Sequence, residues 1–211
     1  MYRLRAVFAF LEGAMSLQTF TLADLAQYTS EKQYAPTASK DFHLFYVGRD
    51  DVHEALKHVL SRVTVSLYLN MFGYDDDELN DLLMDIVHNP QITCIITLDK
   101  SQAGGVHEKR LLQSDAAKDP HGFATHFVIG QSATHQISHT KGFVADGIVG
   151  AEGSTNWSNS GEGTFVVKGC AGGTGYKAQN NTQSFFTDPD AVARFQAELL
   201  HEHLVAKGGA K

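Results

Sequence analysis

Hydrophobic positions along the chain follow two alternating periods from about Phe42 onward. Phe42 to Val47 reads as a strand closed by Gly48. Asp51 to Ser61 reads as a helix, because Val52, Ala55, Leu56, Val59 and Leu60 recur at the spacing of a single helical face. Val63 to Phe72 is rich in β-branched and aromatic residues and predicts a strand. Asp75, Asp76 and Asp77 then put carboxylates where a helix N-terminus is positive. That helix runs to about His88, with Leu79, Leu82, Leu83, Ile86 and Val87 inside. Gln91 to Leu98 is apolar almost throughout, as in a strand covered on both faces. Val106 to Ala117 has helical character, Ala124 to Ile129 is a strand ended by Gly130, and Asp188 to Ala206 closes the chain as a helix with Val192, Phe195 and Leu199 on its inner stripe. Alternating strands and helices predict an α/β fold with a mixed, largely parallel β-sheet sandwiched by helices.

Residues 1–40 stand apart as an N-terminal helical extension and linker, ahead of a domain over 41–211. Leu4, Val7, Phe8, Leu11 and Met15 keep helical spacing, and Thr21 can cap a second helix to about Tyr28 with Leu22 and Leu25 inward. Thr29 to Lys40 is polar, contains Pro36 and reads as a linker. Arg3 and Arg5 before Ala6 to Leu11 have some likeness to a secretory signal. Glu12 interrupts the apolar run and Ala14-Met15-Ser16 is a poor cleavage site, so an uncleaved amphipathic helix is predicted. No apolar stretch approaches the ~20 residues that span a bilayer.

Composition narrows the class. A chain of 211 residues, 43% hydrophobic with 19 Gly and 4 Pro, can bury the core of one globular domain. The net charge of −7 argues against an extended, sequence-independent nucleic-acid surface, which is usually basic. A local positive site is still compatible with it. Cys94 and Cys170 give no disulfide framework; Cys94 lies in an apolar run and predicts a buried free thiol. That usage fits a reducing cytoplasm, with a secreted or periplasmic location as the alternative.

One stretch carries chemistry. His139 and Lys141 are two apart in a segment of strand character, so imidazole and ammonium project from one face, shared by Phe143 and Ala145; Val144 and Asp146 lie on the other. Asp146-Gly147 reads as a tight hairpin turn, and the return strand runs from Ile148 to Glu152 into Gly153. Ser154 and Asn156 then repeat the two-residue spacing at the level of His139 and Lys141. An imidazole, an ammonium, a hydroxyl and a carboxamide together suit phosphate oxygens. The spacing H-x-K-x4-D-x6-G-S-x-N resembles the motif of the phospholipase D superfamily at every defining position, and the order of elements from about Phe42 to Lys207 is similar to that of its small single-motif nucleases.

The resemblance implies roles for these residues. His139 is the expected nucleophile, forming a phosphohistidine. Lys141 and Asn156 are expected to hold non-bridging oxygens, Ser154 to support the phosphate site, and Asp146 to act in support, electrostatically or by fixing the turn. No metal and no cofactor is required. The superfamily commonly has an acidic residue in an Asn-x-Glu context that orients the histidine; here Asn181-Thr182-Gln183 puts Gln183 in that place, and Glu162 is a substitute. Because the motif occurs once and cleavage needs a second group to protonate the leaving oxygen, a homodimer is expected, each copy supplying one His139.

Other features are weaker. His135 with His139, and His201-Glu202-His203, lack the geometry of a zinc ligand set, and no metal site is expected from them. Trp157 can stack on a nucleobase, line an acyl groove or pack beneath the site loop. The Gly-rich Gly169 to Gln179 lacks the context of a nucleotide loop and reads as a flap. The sequence therefore points to a metal-independent phosphodiesterase, most simply an endonuclease on DNA or RNA. A phospholipase or transphosphatidylase, and a non-catalytic nucleic-acid-binding module of the same fold, are the alternatives.

Overall fold

The computed structural model describes residues 17–99, 106, 109, 110, 125–130, 139–169 and 177–209. The predicted helix over Leu4 to Met15, Cys170 and most of the Gly-rich stretch lie outside them. So does most of the helix expected from Val106, of which Val106, Lys109 and Arg110 are helical.

The strands are β1 (Phe42–Tyr46), β2 (Ser66–Met71), β3 (Thr93–Asp99), β4 (Thr125–Gly130), β5 (Lys141–Ala145), β6 (Val149–Gly153) and β7 (Thr182–Phe186). The helices are α1 (Val52–Leu60), α2 (Asp77–His88), α3 (Asn159–Glu162), α4 (Thr164–Val167) and α5 (Pro189–Gly209). Side-chain caps set four helix starts: Asp51 accepts from Glu54 N–H at 3.2 Å, Asp76 from Leu79 N–H at 2.8 Å, Ser158 from Gly161 N–H at 3.0 Å, and Asp188 from Ala191 N–H at 2.9 Å.

The strands form one seven-stranded sheet in the order β1-β7-β6-β5-β2-β3-β4. It is mixed, as expected, with helices on both faces, but it is not largely parallel. Only β2–β3 and β3–β4 run parallel; β2–β5, β5–β6, β6–β7 and β1–β7 are antiparallel. The hairpin β5–β6 inserts beside β2 in the reverse direction, which no local pattern announces.

The main core lies on the face covered by α1 and α2, where Leu56, Val59, Leu60, Leu79 and Leu83 meet Leu67, Leu69, Cys94, Ile96, Phe143 and Phe185. On the other face α5 lies against β2 through β6, with Val192 and Leu199 packed on Val144. The strand parity read from the sequence holds, since Phe143 and Ala145 face the main core and Val144 faces α5. Cys94 is a buried free thiol whose pKa burial pushes up to about 12.

Leu22–Tyr28 is a 3-10 segment rather than an α-helix. In that geometry residues three apart eclipse, so Leu22 and Leu25 share one face, and both are buried in the main core with Leu17. Part of the expected extension is thus continuous with the core of the domain.

Candidate active site

β5 runs antiparallel to β2 with Lys141 opposite Met71, and antiparallel to β6 with Gly142 opposite Glu152. The strand therefore starts where both neighbours end, and the loops leaving β2 and β6 flank its first residues. Lys141 is 4% exposed. Its ammonium donates to the His139 carbonyl at 2.7 Å and lies 4.9 Å from the centre of the Phe72 ring. The same ring meets the exposed His139 imidazole edge-on, with centroids 4.6 Å apart. Burial lowers the Lys141 pKa, opposed by the charges of Asp99 and Glu152. A cation in such surroundings acts on a nearby anion more strongly than one in water.

The loop after β6 completes the other side. Ser154 Oγ donates to Asn181 Oδ1 at 3.0 Å and accepts from Thr182 N–H at 3.1 Å, and Thr155 Oγ1 donates to the Thr182 carbonyl at 3.1 Å. Asn156 follows, its side chain laid on Gly73 so closely that a Cβ there would stand 2.7 Å from Asn156 Cγ. Trp157 N–H donates to the Gly73 carbonyl at 2.9 Å, and Asp75 N–H donates to the Trp157 carbonyl at 2.6 Å. These bonds stitch the loop carrying Phe72 to the loop carrying Asn156. Asn156 Oδ1 is buried without a hydrogen-bond partner among the described residues, a condition that costs about 1–3 kcal/mol and calls for a reason.

By sequence, no family model matches the chain and no curated protein matches it. Among solved structures it is similar to Nuc, a phospholipase D family member from Salmonella typhimurium, with a TM-score of 0.56, 10% identity, and 78% of this chain and 94% of that one covered. The fold is that of the phospholipase D superfamily. NucT from Helicobacter pylori is similar to the same degree, with a TM-score of 0.56, 12% identity and coverage of 78% and 96%. Phosphatidylserine synthase from Haemophilus influenzae Rd KW20 gives a TM-score of 0.58 at 10% identity, with 81% of this chain but only 42% of the synthase covered.

On this phospholipase D fold the predicted residues separate. His139, Lys141 and Asn156 gather at the head of β5, with Ser154 tied to β7 beside them. Asp146 is at the opposite end of β5, five residues from Lys141 and so about 17 Å away along an extended strand. Its carboxylate accepts from Thr64 N–H at 3.0 Å, Thr64 Oγ1 at 2.9 Å, Val65 N–H at 2.8 Å and Ser66 N–H at 2.9 Å. Asp146 and Gly147 both have positive φ, 53° and 67°, and Ile148 N–H closes the turn on the Ala145 carbonyl at 3.0 Å. Asp146 thus stands apart from His139, Lys141 and Asn156: it fixes the turn, the second of the two supporting roles expected of it, and ties that turn to the residues leading into β2.

Trp157 is corrected as a substrate platform. It is 1% exposed, with ring centroids 5.8 Å from Tyr74 and 6.3 Å from Phe143, so it packs under the site loop. Gln183 is 2% exposed on β7, between Phe45 and Gly153, and its amide donates to the Ser184 carbonyl at 3.3 Å. Glu162 does not orient His139, because its carboxylate is bound to His53 Nδ1 at 2.5 Å. Burial pushes the Glu162 pKa up to about 7. Burial by itself lowers His53, but the hydrogen bond to Glu162 and the charges of Glu162 and Asp76 outweigh it and raise its pKa. His53 was missed in the sequence, although it precedes Leu56 and Leu60 on the inward stripe of α1 at helical spacing, an available signal.

Proposed function

We propose that the protein is a phosphodiesterase of the phospholipase D type that cleaves nucleic acid, single strands above all, through a phosphohistidine at His139. The observation that carries this reading is the meeting of His139, Lys141 and Asn156 at one end of β5, in the spacing of the superfamily motif. One imidazole nitrogen of His139 attacks phosphorus and the bond to the leaving oxygen breaks. Lys141 and the Asn156 carboxamide bind the non-bridging oxygens as negative charge grows on them. A second copy of the chain supplies the acid, its own histidine giving a proton to the leaving oxygen. Water then attacks phosphorus, the N–P bond breaks, and the imidazole is regenerated with release of a phosphate monoester. The chemistry needs no metal. The chain spans nearly the full length of Nuc and NucT but less than half of the lipid-named synthase, which supports the small, single-motif architecture over the larger one.

One observation favours a lipid as the second reading. A cavity of about 660 Å³ on the α5 face is lined by Phe42, Phe186 and Phe195 and reaches Thr140, next to His139. The test is incubation of the full chain with oligonucleotides, plasmid and phosphatidylcholine vesicles in EDTA. Nucleic-acid cleavage that persists in EDTA and vanishes in His139→Ala supports the first reading, and choline release alone supports the second. An active, stable monomer at assay concentration removes the shared site.

A further inference from the structure

Beyond His139 and its neighbours, the chain buries a second set of ionisable side chains that the proposed chemistry does not use. His53 on α1, Asp76 capping α2 and Glu162 ending α3 are 1%, 5% and 1% exposed. His53 Nδ1 lies 2.5 Å from Glu162 Oε2 and 3.7 Å from Asp76 Oδ2. One donor atom from each of the three lies within 4.8 Å of the others. The second Glu162 oxygen, Oε1, on the same carboxylate carbon, is sealed from solvent with no hydrogen-bond partner among the described residues.

We infer that His53 Nδ1, Asp76 Oδ2 and the Glu162 carboxylate form a site for one divalent transition-metal cation, with zinc the best fit. Charge is the first reason. Two carboxyl side chains share this interior with one imidazole. Buried charge without compensation is costly, and a divalent ion compensates both. Geometry is the second. Zinc bonds of about 2.0–2.2 Å put tetrahedral donor atoms about 3.4 Å apart, close to the 3.7 Å between His53 and Asp76. The His53–Glu162 contact has to open by about 1 Å on that scale, as the proton between them leaves and the ion enters.

The surroundings are arranged for it. Asp76 Oδ1 is taken by the Leu79 amide at 2.8 Å, which leaves Oδ2 to face His53. The distal nitrogen of His53 points at Glu78 Oε2, 3.5 Å away, and Glu78 is itself bound by Lys57 at 2.5 Å. A carboxylate on the distal nitrogen of a ligand histidine fixes its tautomer and orientation, and here it leaves Nδ1 for the metal. Glu162 Oε1 supplies a fourth donor if the carboxylate binds through both oxygens, so its missing partner is accounted for. One nitrogen with carboxylate oxygens is a set for zinc or manganese rather than for a thiolate-seeking ion. The ion would clasp α1, the start of α2 and α3, and α3 follows directly on the loop bearing Asn156.

The experiment uses the purified full chain, loaded with ZnCl2, desalted and analysed for metal, together with thermal melts. One zinc per chain is expected, and a midpoint raised by about 5 °C or more at saturating ion. E162Q and His53→Gln are expected to lower zinc affinity at least ~100-fold, and E78Q, acting through His53, ~10-fold. If either ligand variant fails to fold, the visible spectrum of the cobalt-loaded parent chain decides, four-coordinate bands being expected. No stoichiometric zinc, cobalt or manganese on the parent chain overturns the inference. So does zinc kept by both E162Q and His53→Gln, which assigns the ion to others of the chain's eleven histidines. Loss of cleavage in His139→Ala, measured on zinc-loaded chain without chelator, tests the reaction, whereas metal content and the melting shift test this site, so the two can fail separately.

Discussion

Gly73→Ala probes the seam between the two loops with one methyl group. The added Cβ would stand 2.7 Å from Asn156 Cγ, 2.9 Å from Oδ1 and 3.0 Å from Cβ. These separations are well inside ordinary contact, so the carboxamide has to move or the loop has to part. Misplacing a substrate-positioning group by about 1 Å costs on the order of 10²-fold in rate. The accompanying overpacking costs about 1–3 kcal/mol, too little to unfold a domain of ordinary stability. The expected result is thus a folded protein with kcat on an oligonucleotide lowered ~10²-fold. The control is Asn156→Ala, which leaves only the Cβ contact at 3.0 Å. Adding Gly73→Ala to that variant should cost little further activity, because the displaced group is already gone. Melting curves and kcat would be measured for both single variants and the double. Full activity in Gly73→Ala, or independent additive losses in the double, would refute the idea that Asn156 acts from its seat on this glycine.

Three other outcomes are expected. Asp146→Ala removes the acceptor of three backbone amides and places a side chain that disfavours positive φ in the turn; it should lose about 2 kcal/mol in urea unfolding while kcat per folded molecule is retained, and Asp146→Asn should lose less. Because burial lowers the Lys141 pKa, its ammonium is present at low pH and lost on the way up sooner than an ordinary lysine's, so the alkaline limb of the kcat–pH profile should fall below the usual lysine range and move upward in Lys141→Arg. Trp157→Ala should destabilise by about 3–5 kcal/mol, whereas Trp157→Phe should stay folded with substrate KM unchanged, since the ring never reaches substrate.

How much of this was legible depended on range along the chain. The stripe of α1 and the parity of β5 are local and could be read directly, and the Asp-Gly turn announced itself through backbone chemistry. The spacing from His139 to Asn156 fits within one hairpin and its exit, so their convergence was readable too. Strand direction was not, because the pairing of β5 with β2 joins segments from different halves of the chain. Trp157 was ambiguous for the same reason: its burial is decided by Gly73 and Tyr74. Glu162 shows the limit most clearly, as it pairs with a histidine 109 residues away, and nothing near either residue marks the other.

The seam between the two loops also supplies an internal probe. Trp157 is the chain's single tryptophan, and its backbone makes the bonds that close the seam. Its intrinsic emission therefore comes from one place, the joint beneath His139 and Asn156. Opening of that joint in an otherwise native molecule would red-shift the fluorescence without a change in far-ultraviolet dichroism. Unfolding kinetics followed by the two signals would then separate loss of the reaction centre from loss of the sheet, with no label added.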